Sequence, residues 1–231
     1  MSSPTTTRTL QVCRECGGGA PIDVHFCPQC TKILSIGRQV DYFSFIGLPR
    51  KLQIDAADLE RRFRTLSRQF HPDYFYNASP AERRASLERS SCLNDAYRTL
   101  KNPVMRVEYL LDCEGIAAKG SAASATQVPP ALLEEVFALN EELDEIRALR
   151  QGGAPVDHWK GRLERARQPI DAKRTAHERD LQHLAERWDA LLDGAASEHE
   201  RRDVLTALRD RLLERNYINN LLAGIERELH A

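Results

Sequence analysis

A mainly α chain with one small cysteine-held domain is what this sequence predicts, on three observations. The second half is rich in Ala, Leu, Glu and Arg, with apolar residues recurring at steps of three and four. The stretch from about 40 to 113 carries the same periodicity, punctuated by prolines that follow capping residues. Four of the six cysteines stand as two close pairs among glycines and a proline.

The 231 residues suffice for two or three small domains with proper cores. A net charge of −1 provides no global basic field, so neither nucleic acid nor an acidic membrane is an expected partner. No run approaches the ~18 apolar residues that a membrane span needs. Residues Met1 to Val12 are Ser/Thr-rich without an apolar run, so a secretory signal is not expected and residues 1–12 read as disordered. The expected compartment is the cytoplasm, with the mitochondrial matrix as the alternative.

Cys13-x-x-Cys16 is followed by Cys27-x-x-Cys30. Each Cys-x-x-Cys turn points two thiolates at one centre, and two such turns close a tetrahedral site of the kind structural zinc takes. The segment 13–36 has few apolar residues, Ile22, Val24, Phe26, Ile33 and Leu34 among them, so metal binding must supply much of its folding free energy. A zinc-ribbon-like domain is the expectation. Iron in a rubredoxin-like site uses the same ligands, and a redox dithiol needs only one pair. Arg14, Lys32 and Arg38 are too few charges to make the segment a nucleic-acid binder. Cys92 and Cys113 stand alone and read as small buried hydrophobes.

Helix starts are signposted. Asp55 caps a helix with Asp58 in its first turn. Ser79-Pro80-Ala81-Glu82 is a capping box with proline at the first helical position. Asn102-Pro103 repeats the cap-then-proline signal, and Ser197-Glu198-His199-Glu200 is a further box. From Asp55 to Phe70, Leu59, Phe63, Leu66 and Phe70 fall within a stripe of about 60°. Arg61, Arg64 and Arg68 lie on the other side. Pro72 bars His71 from helical conformation and ends the helix. The next periodic segment, with Leu93, Ala96, Tyr97 and Leu100, begins after Ser79. Two helices joined by so short a loop pack as an antiparallel hairpin, with His71-Pro72-Asp73 at its exposed tip beside the arginine face. No nucleophile or second acid accompanies His71 at motif spacing, so the chain is not expected to be an enzyme.

Beyond a soft stretch at 114–128 the chain reads as long helix, broken near Gly152-Gly153 and Gly194. Leu132, Val136, Leu139, Leu143 and Ile146 form one seam. Trp159, Leu163, Ala166 and Ile170, continued by Leu181, Leu184, Trp188 and Leu191, form a second. Leu205, Leu208, Leu212, Leu222, Ile225 and Leu229 form a third. Three seams imply a three-helix bundle, and Pro169 is expected to kink or split the second. Leu133 and Phe137, continued by Glu141 and Glu145, make a strip beside the first seam. It is either a wider buried face or a docking groove of apolar anchors ringed by acids.

Asp41-Tyr42-Phe43, Gly47-Leu48-Pro49, Gln69-Phe70-His71-Pro72-Asp73-Tyr74-Phe75 and Asn94-Asp95-Ala96-Tyr97-Arg98-Thr99-Leu100 together resemble a J domain. Pro103-Val104-Met105-Arg106-Val107-Glu108-Tyr109-Leu110-Leu111 narrows the resemblance to the HscB family, some members of which also carry an N-terminal two-pair cysteine domain. The match is dense over 41–112 and recurs at 132–146. It implies a J domain over 40–113, a four-cysteine metal-binding domain over 13–36, a linker over 114–128 and a scaffold-binding bundle over 129–231. It also implies a co-chaperone that stimulates the ATPase of a DnaK/HscA-type chaperone and delivers an IscU-type scaffold to it during iron–sulfur cluster assembly. The family's chaperone-binding tripeptide maps onto His71, Pro72 and Asp73. Asp73 is then expected to pair with a chaperone arginine, and Arg61, Arg64 and Arg68 to meet an acidic surface. The scaffold-binding residues map onto Leu133, Phe137, Glu141, Glu145 and, on the last helix, Tyr217. Glu134 and Ala138 stand where the family often has Met and Glu. A monomer or weak dimer is expected. The alternatives are a general J-domain protein with other clients, a zinc-ribbon nucleic-acid binder, or an iron electron carrier.

Overall fold

The computed structural model describes residues 10–37, 40–117 and 133–230. Among these the chain forms strands β1 (Leu10–Val12) and β2 (Gly19–Pro21) and helices α1 (Tyr42–Ile46), α2 (Ala56–Phe70), α3 (Pro80–Lys101), α4 (Pro103–Cys113), α5 (Leu133–Gln151), α6 (Val156–Asp193) and α7 (Glu198–His230), with a 3₁₀ turn at Pro72–Phe75. The fold is mainly α with a short sheet at the cysteine segment, as the sequence predicts. Two compact units are present, one ending at Arg106 and one beginning at Val107, so the division falls inside α4.

In the first unit β1 and β2 pair antiparallel, with Leu10 opposite Pro21, Gln11 opposite Ala20 and Val12 opposite Gly19. The disorder expected over 1–12 therefore does not hold for Leu10–Val12, whose backbone groups are satisfied by the ladder; residues 1–9 lie outside the described residues. Helix α1 opens on Asp41, whose carboxylate accepts from the Ser44 amide at 2.9 Å. It closes on Gly47 at φ 79°, with Gly47 N–H donating to the Ser44 carbonyl at 3.1 Å and Leu48 N–H to the Phe43 carbonyl at 2.8 Å. This is a Schellman stop, which explains why Gly-Leu-Pro stands there. A Cβ on Gly47 would also come within 3.0 Å of Arg62 Nη1. Gly47→Ala is expected to destabilise the unit by about 1–2 kcal/mol, read as a lower urea midpoint.

The predicted caps form. Asp55 accepts from the Ala57 amide, Ser79 and Glu82 exchange the two bonds of a capping box, and Asn102 Oδ1 accepts from the amides of Val104 and Met105. Helices α2 and α3 run antiparallel: Phe63 stacks on Tyr97 at 4.2 Å near one end, and Ser86 reaches the Phe70 carbonyl at the other. Phe43, Phe45, Ile46, Leu59, Phe70, Leu93, Ala96 and Leu100 are buried in this unit. The last carbonyl of α2 lacks a helical partner, and the hydroxyls of Ser86 and Ser90 donate to it at 2.6 and 2.9 Å. Arg106, from the Met-Arg-x-Glu-Tyr-Leu element, is buried and donates to the carbonyls of Leu100 and Leu52.

In the second unit, Leu139, Leu143 and Ile146 of α5, Trp159, Leu163 and Ile170 of α6, and Ile218, Leu221, Leu222 and Ile225 of α7 make one core. Leu132 lies outside the described residues. Helix α6 runs through Pro169 unbroken, so the expected split does not occur. Pro169 and Arg165 are exposed, so the carbonyl that proline deprives of its bond is open to water, while Leu163 and Ile170 hold the helix in the core. Ser197 and Glu200 exchange the bonds of the predicted box at the start of α7. No helix among the described residues is long and apolar enough to cross a membrane.

Candidate interaction sites and metal centre

The turn between α2 and α3 carries the tripeptide. Pro72 forces His71 out of the helix, to φ −58° and ψ 127°. The chain then coils once in the 3₁₀ turn, with Tyr74 N–H donating to the His71 carbonyl at 3.0 Å, Tyr76 to Asp73 at 3.4 Å and Ala78 to Phe75 at 3.0 Å. Asp73 N–H donates to His71 Nδ1 at 3.3 Å, so the imidazole caps the turn. The Asp73 side chain is 85 % exposed. Tyr74 and Tyr76 are exposed as well, and Pro72, Asp73, Tyr76, Asn77, Arg83 and Leu87 line an open recess of about 560 Å³. Exposed Leu87 was not singled out from sequence; an apolar residue on the outer face of α3, two before Arg89, was the available signal.

Arg61, Arg64 and Arg68 are exposed along one side of α2. Arg61 pairs with Asp58, Arg64 Nε lies 2.8 Å from Glu60, and Arg68 Nε donates to the Arg64 carbonyl at 3.3 Å. Such pairs on an exposed helix contribute only about 0.2–0.5 kcal/mol, so these guanidinium groups can exchange them for other carboxylates. Arg62 is different: it turns inward to the Gly47 carbonyl at 2.7 Å and Asp58 at 2.9 Å.

The four cysteines converge. All four Sγ atoms lie within 4.8 Å of one another, Cys13 and Cys30 at 3.7 Å and Cys16 and Cys27 at 3.7 Å. A tetrahedron of sulfurs about 2.3 Å from its centre has edges of about 3.8 Å, so the donor set fits one closed four-sulfur metal site. The two turns are built alike. Gly17 N–H donates to the Cys13 carbonyl and Thr31 N–H to the Cys27 carbonyl, each at 2.9 Å. The residue after each second cysteine is left-handed, Gly17 at φ 72° and Thr31 at φ 60°. Backbone N–H groups of Cys30 and Gln29 turned towards Cys27 Sγ pull its thiol down to about 7, while, against the pull of the Lys32 backbone N–H, burial and the neighbouring cysteine sulfurs push Cys30 up to about 12. Cys92 and Cys113, expected to be buried, are half-buried; burial pushes Cys92 up to about 11, which keeps it protonated.

Two further residues of this unit escaped the sequence. Arg89 is 2 % exposed, and its three nitrogens reach the cysteine segment: Nε to the Leu34 carbonyl at 2.6 Å, Nη1 to His25 Nδ1 at 2.7 Å and Nη2 to the Ser35 carbonyl at 3.2 Å. Its guanidinium also lies over the rings of Phe45 and Phe70, at 5.8 and 5.6 Å. Burial, with the Arg89 charge beside it, pushes His25 down to about 4, so its ring is neutral and Nδ1 accepts. The available signal was an arginine on the buried stripe of α3, in register with Ala85, Leu93 and Ala96, where a charge requires buried partners.

On α5, Leu133 is 38 % and Phe137 65 % exposed, so the described residues leave their strip largely open. Glu141 is exposed further along. Glu145 lies 2.5 Å from Arg162, which also holds Glu142 at 2.6 and 2.7 Å, so an arginine of α6 balances part of the acidic end. Tyr217 is half-buried on α7, next to Ile218 in the core.

No protein-family model matches the chain. Its fold is similar to that of human co-chaperone protein HscB, with 25% identity and a TM-score of 0.65 over 94% of this chain and 98% of that one. It is also similar to the chaperone HscB from Vibrio cholerae, with 28% identity and a TM-score of 0.56 over 81% of this chain and 96% of that one. The hairpin with its His71-Pro72-Asp73 turn, the three-helix bundle and the four-cysteine cluster stand beside this likeness to the two HscB co-chaperones.

Proposed function

We propose that the chain couples a DnaK/HscA-type chaperone to an IscU-type scaffold during iron–sulfur cluster assembly, raising the chaperone's ATP turnover while presenting the scaffold to it. The observation that carries this reading is the His71-Pro72-Asp73 turn at an exposed tip, with an 85 % exposed carboxylate on the same hairpin as three exposed arginines. His71, Pro72 and Asp73 are the chaperone contact, and Arg61, Arg64 and Arg68 steer it towards an acidic face, a term that speeds association and weakens with salt. Leu133, Phe137, Glu141, Glu145 and Tyr217 are the scaffold contact. Phe137, an aromatic 65 % exposed on a rigid helix, is its anchor. Zinc is the metal of the cysteine site, where it holds the segment folded; Cys13, Cys16, Cys27 and Cys30 leave no position for a substrate.

Phe137→Ala is expected to weaken scaffold binding about thirtyfold, the loss typical of a buried aromatic anchor at about 2 kcal/mol. Stimulation of the chaperone in the absence of scaffold is expected to stay at the wild-type level. Titration calorimetry and an ATPase assay read the two. Unchanged scaffold affinity would place the scaffold elsewhere on the bundle, and failure of the wild-type chain to bind a scaffold at all would favour a J protein serving other clients.

A further inference from the structure

The chaperone-contact turn, residues 71–79, hangs between two anchors. One is Phe70, the fully buried last residue of α2. The other is the capping box of α3, where Glu82 Oε2 accepts the Ser79 amide at 3.2 Å. Between them the turn is held by few bonds of its own and is largely exposed.

The cysteine segment grips both anchors. The His25 ring meets Phe70 edge-on at 4.9 Å, with Phe26 beyond it at 6.2 Å. Lys32 Nζ lies 3.1 and 3.3 Å from the two oxygens of Glu82, the carboxylate that closes the box. Ser79 Oγ donates to Glu15 at 3.3 Å. Glu15 lies between Cys13 and Cys16, His25 two residues before Cys27, and Lys32 two residues after Cys30. Every gripping side chain is thus within two residues of a sulfur of the cluster, and its position depends on those sulfurs being drawn together. Arg89 ties the grip to α3. Its three donors all end on the cysteine segment, and it sits between Ser86 and Ser90, the two residues that hold the Phe70 carbonyl. Without the segment, Arg89 would lose all three acceptors and its guanidinium would open to water, so the grip it passes to α3 would be released.

We propose that the four-cysteine module is a metal-dependent brace of the His71-Pro72-Asp73 turn, with His25, Lys32 and Arg89 as the positioning residues that carry the metal's presence to both ends of the turn. Its consequence for chaperone contact rests on the function proposed above, whereas the brace itself does not. Loss of metal loosens the turn while the hairpin helices stay folded, so the module reports metal supply to the surface that engages the chaperone.

Amide hydrogen exchange on the full chain, zinc-loaded and after chelation, tests this without any chaperone. Chelation is expected to speed exchange at the Tyr74, Tyr76 and Ala78 amides tenfold or more. Amides in the middle of α2 and α3 are expected to keep their rates within about twofold. With zinc bound, Lys32→Ala is expected to speed the same three amides several-fold, and Lys32→Arg, which keeps the ion pair, to restore them. Unchanged turn rates after chelation would overturn the proposal. So would equal acceleration of the turn and both helices, which would make the module an ordinary part of the core, and so would a Lys32→Arg variant no better than Lys32→Ala.

Discussion

Asp73→Ala is expected to abolish the chain's stimulation of a DnaK-type ATPase while leaving its fold and its scaffold affinity intact. The Asp73 side chain is 85 % exposed, and it faces His71, which is itself half exposed. Removing the carboxylate therefore takes little from the folded chain, and stability should stay within about 0.5 kcal/mol, as for most surface substitutions. At the chaperone the position differs. A carboxylate pairing with a desolvated arginine is worth about 2–5 kcal/mol when truncated, because the partner charge is left buried and unpaired. That corresponds to a loss of roughly thirtyfold to several thousandfold, enough to put stimulation below detection. Thermal unfolding, scaffold titration and ATP turnover, measured together, check all three parts. Replacing Arg61, Arg64 and Arg68 should instead slow association and flatten its salt dependence, since these groups lie on a solvated face.

Metal removal is the second large effect. The cysteine module has two strands of three residues, and its core is Cys13, Ala20, Cys27 and Leu34 with Val24 and Cys30 against it. Half of that core is the ligands themselves. Structural zinc contributes about 10–16 kcal/mol in comparable peptides, far more than so small an apolar cluster supplies. Chelation, or Cys27→Ser, is therefore expected to unfold the module. The amides of Cys13, Gly17, Cys27 and Thr31, bonded within the two turns, should then exchange freely. All remaining cluster thiols should become reactive to a thiol reagent. The bundle formed by α5, α6 and α7 holds a separate core and should keep its helical signal. A module that stays protected after complete metal loss would contradict this.

What could be read from sequence was what depends on neighbours along the chain. Asp55, Ser79 with Glu82, Asn102 and Ser197 with Glu200 announce helix starts because a cap is satisfied within three residues. The cysteine pairs and the proline after His71 are equally local. Seams such as Leu139, Leu143 and Ile146 are legible because helical period places them on one face. The grip of Arg89 on His25 and Leu34 was not, since it joins residues 64 and 55 positions apart and no periodic rule links them. Arg89 breaks the apolar stripe of its own helix, and the packed cysteine segment explains why. At Pro169 the expectation was a kink or a split, and its exposure with the core on either side lets α6 continue without the split. The Leu133 and Phe137 strip was left with two readings, because whether an apolar strip is covered is a tertiary fact.

The central claim is that one chain joins a chaperone ATPase to a scaffold through two separate surfaces. Steady-state ATP turnover of a DnaK/HscA-type chaperone, measured with the chain, with an IscU-type scaffold, and with both, tests it most directly. The account predicts that the chain alone raises turnover, and that chain and scaffold together raise it beyond the sum of their separate effects. Turnover that is the same with and without the chain would contradict it.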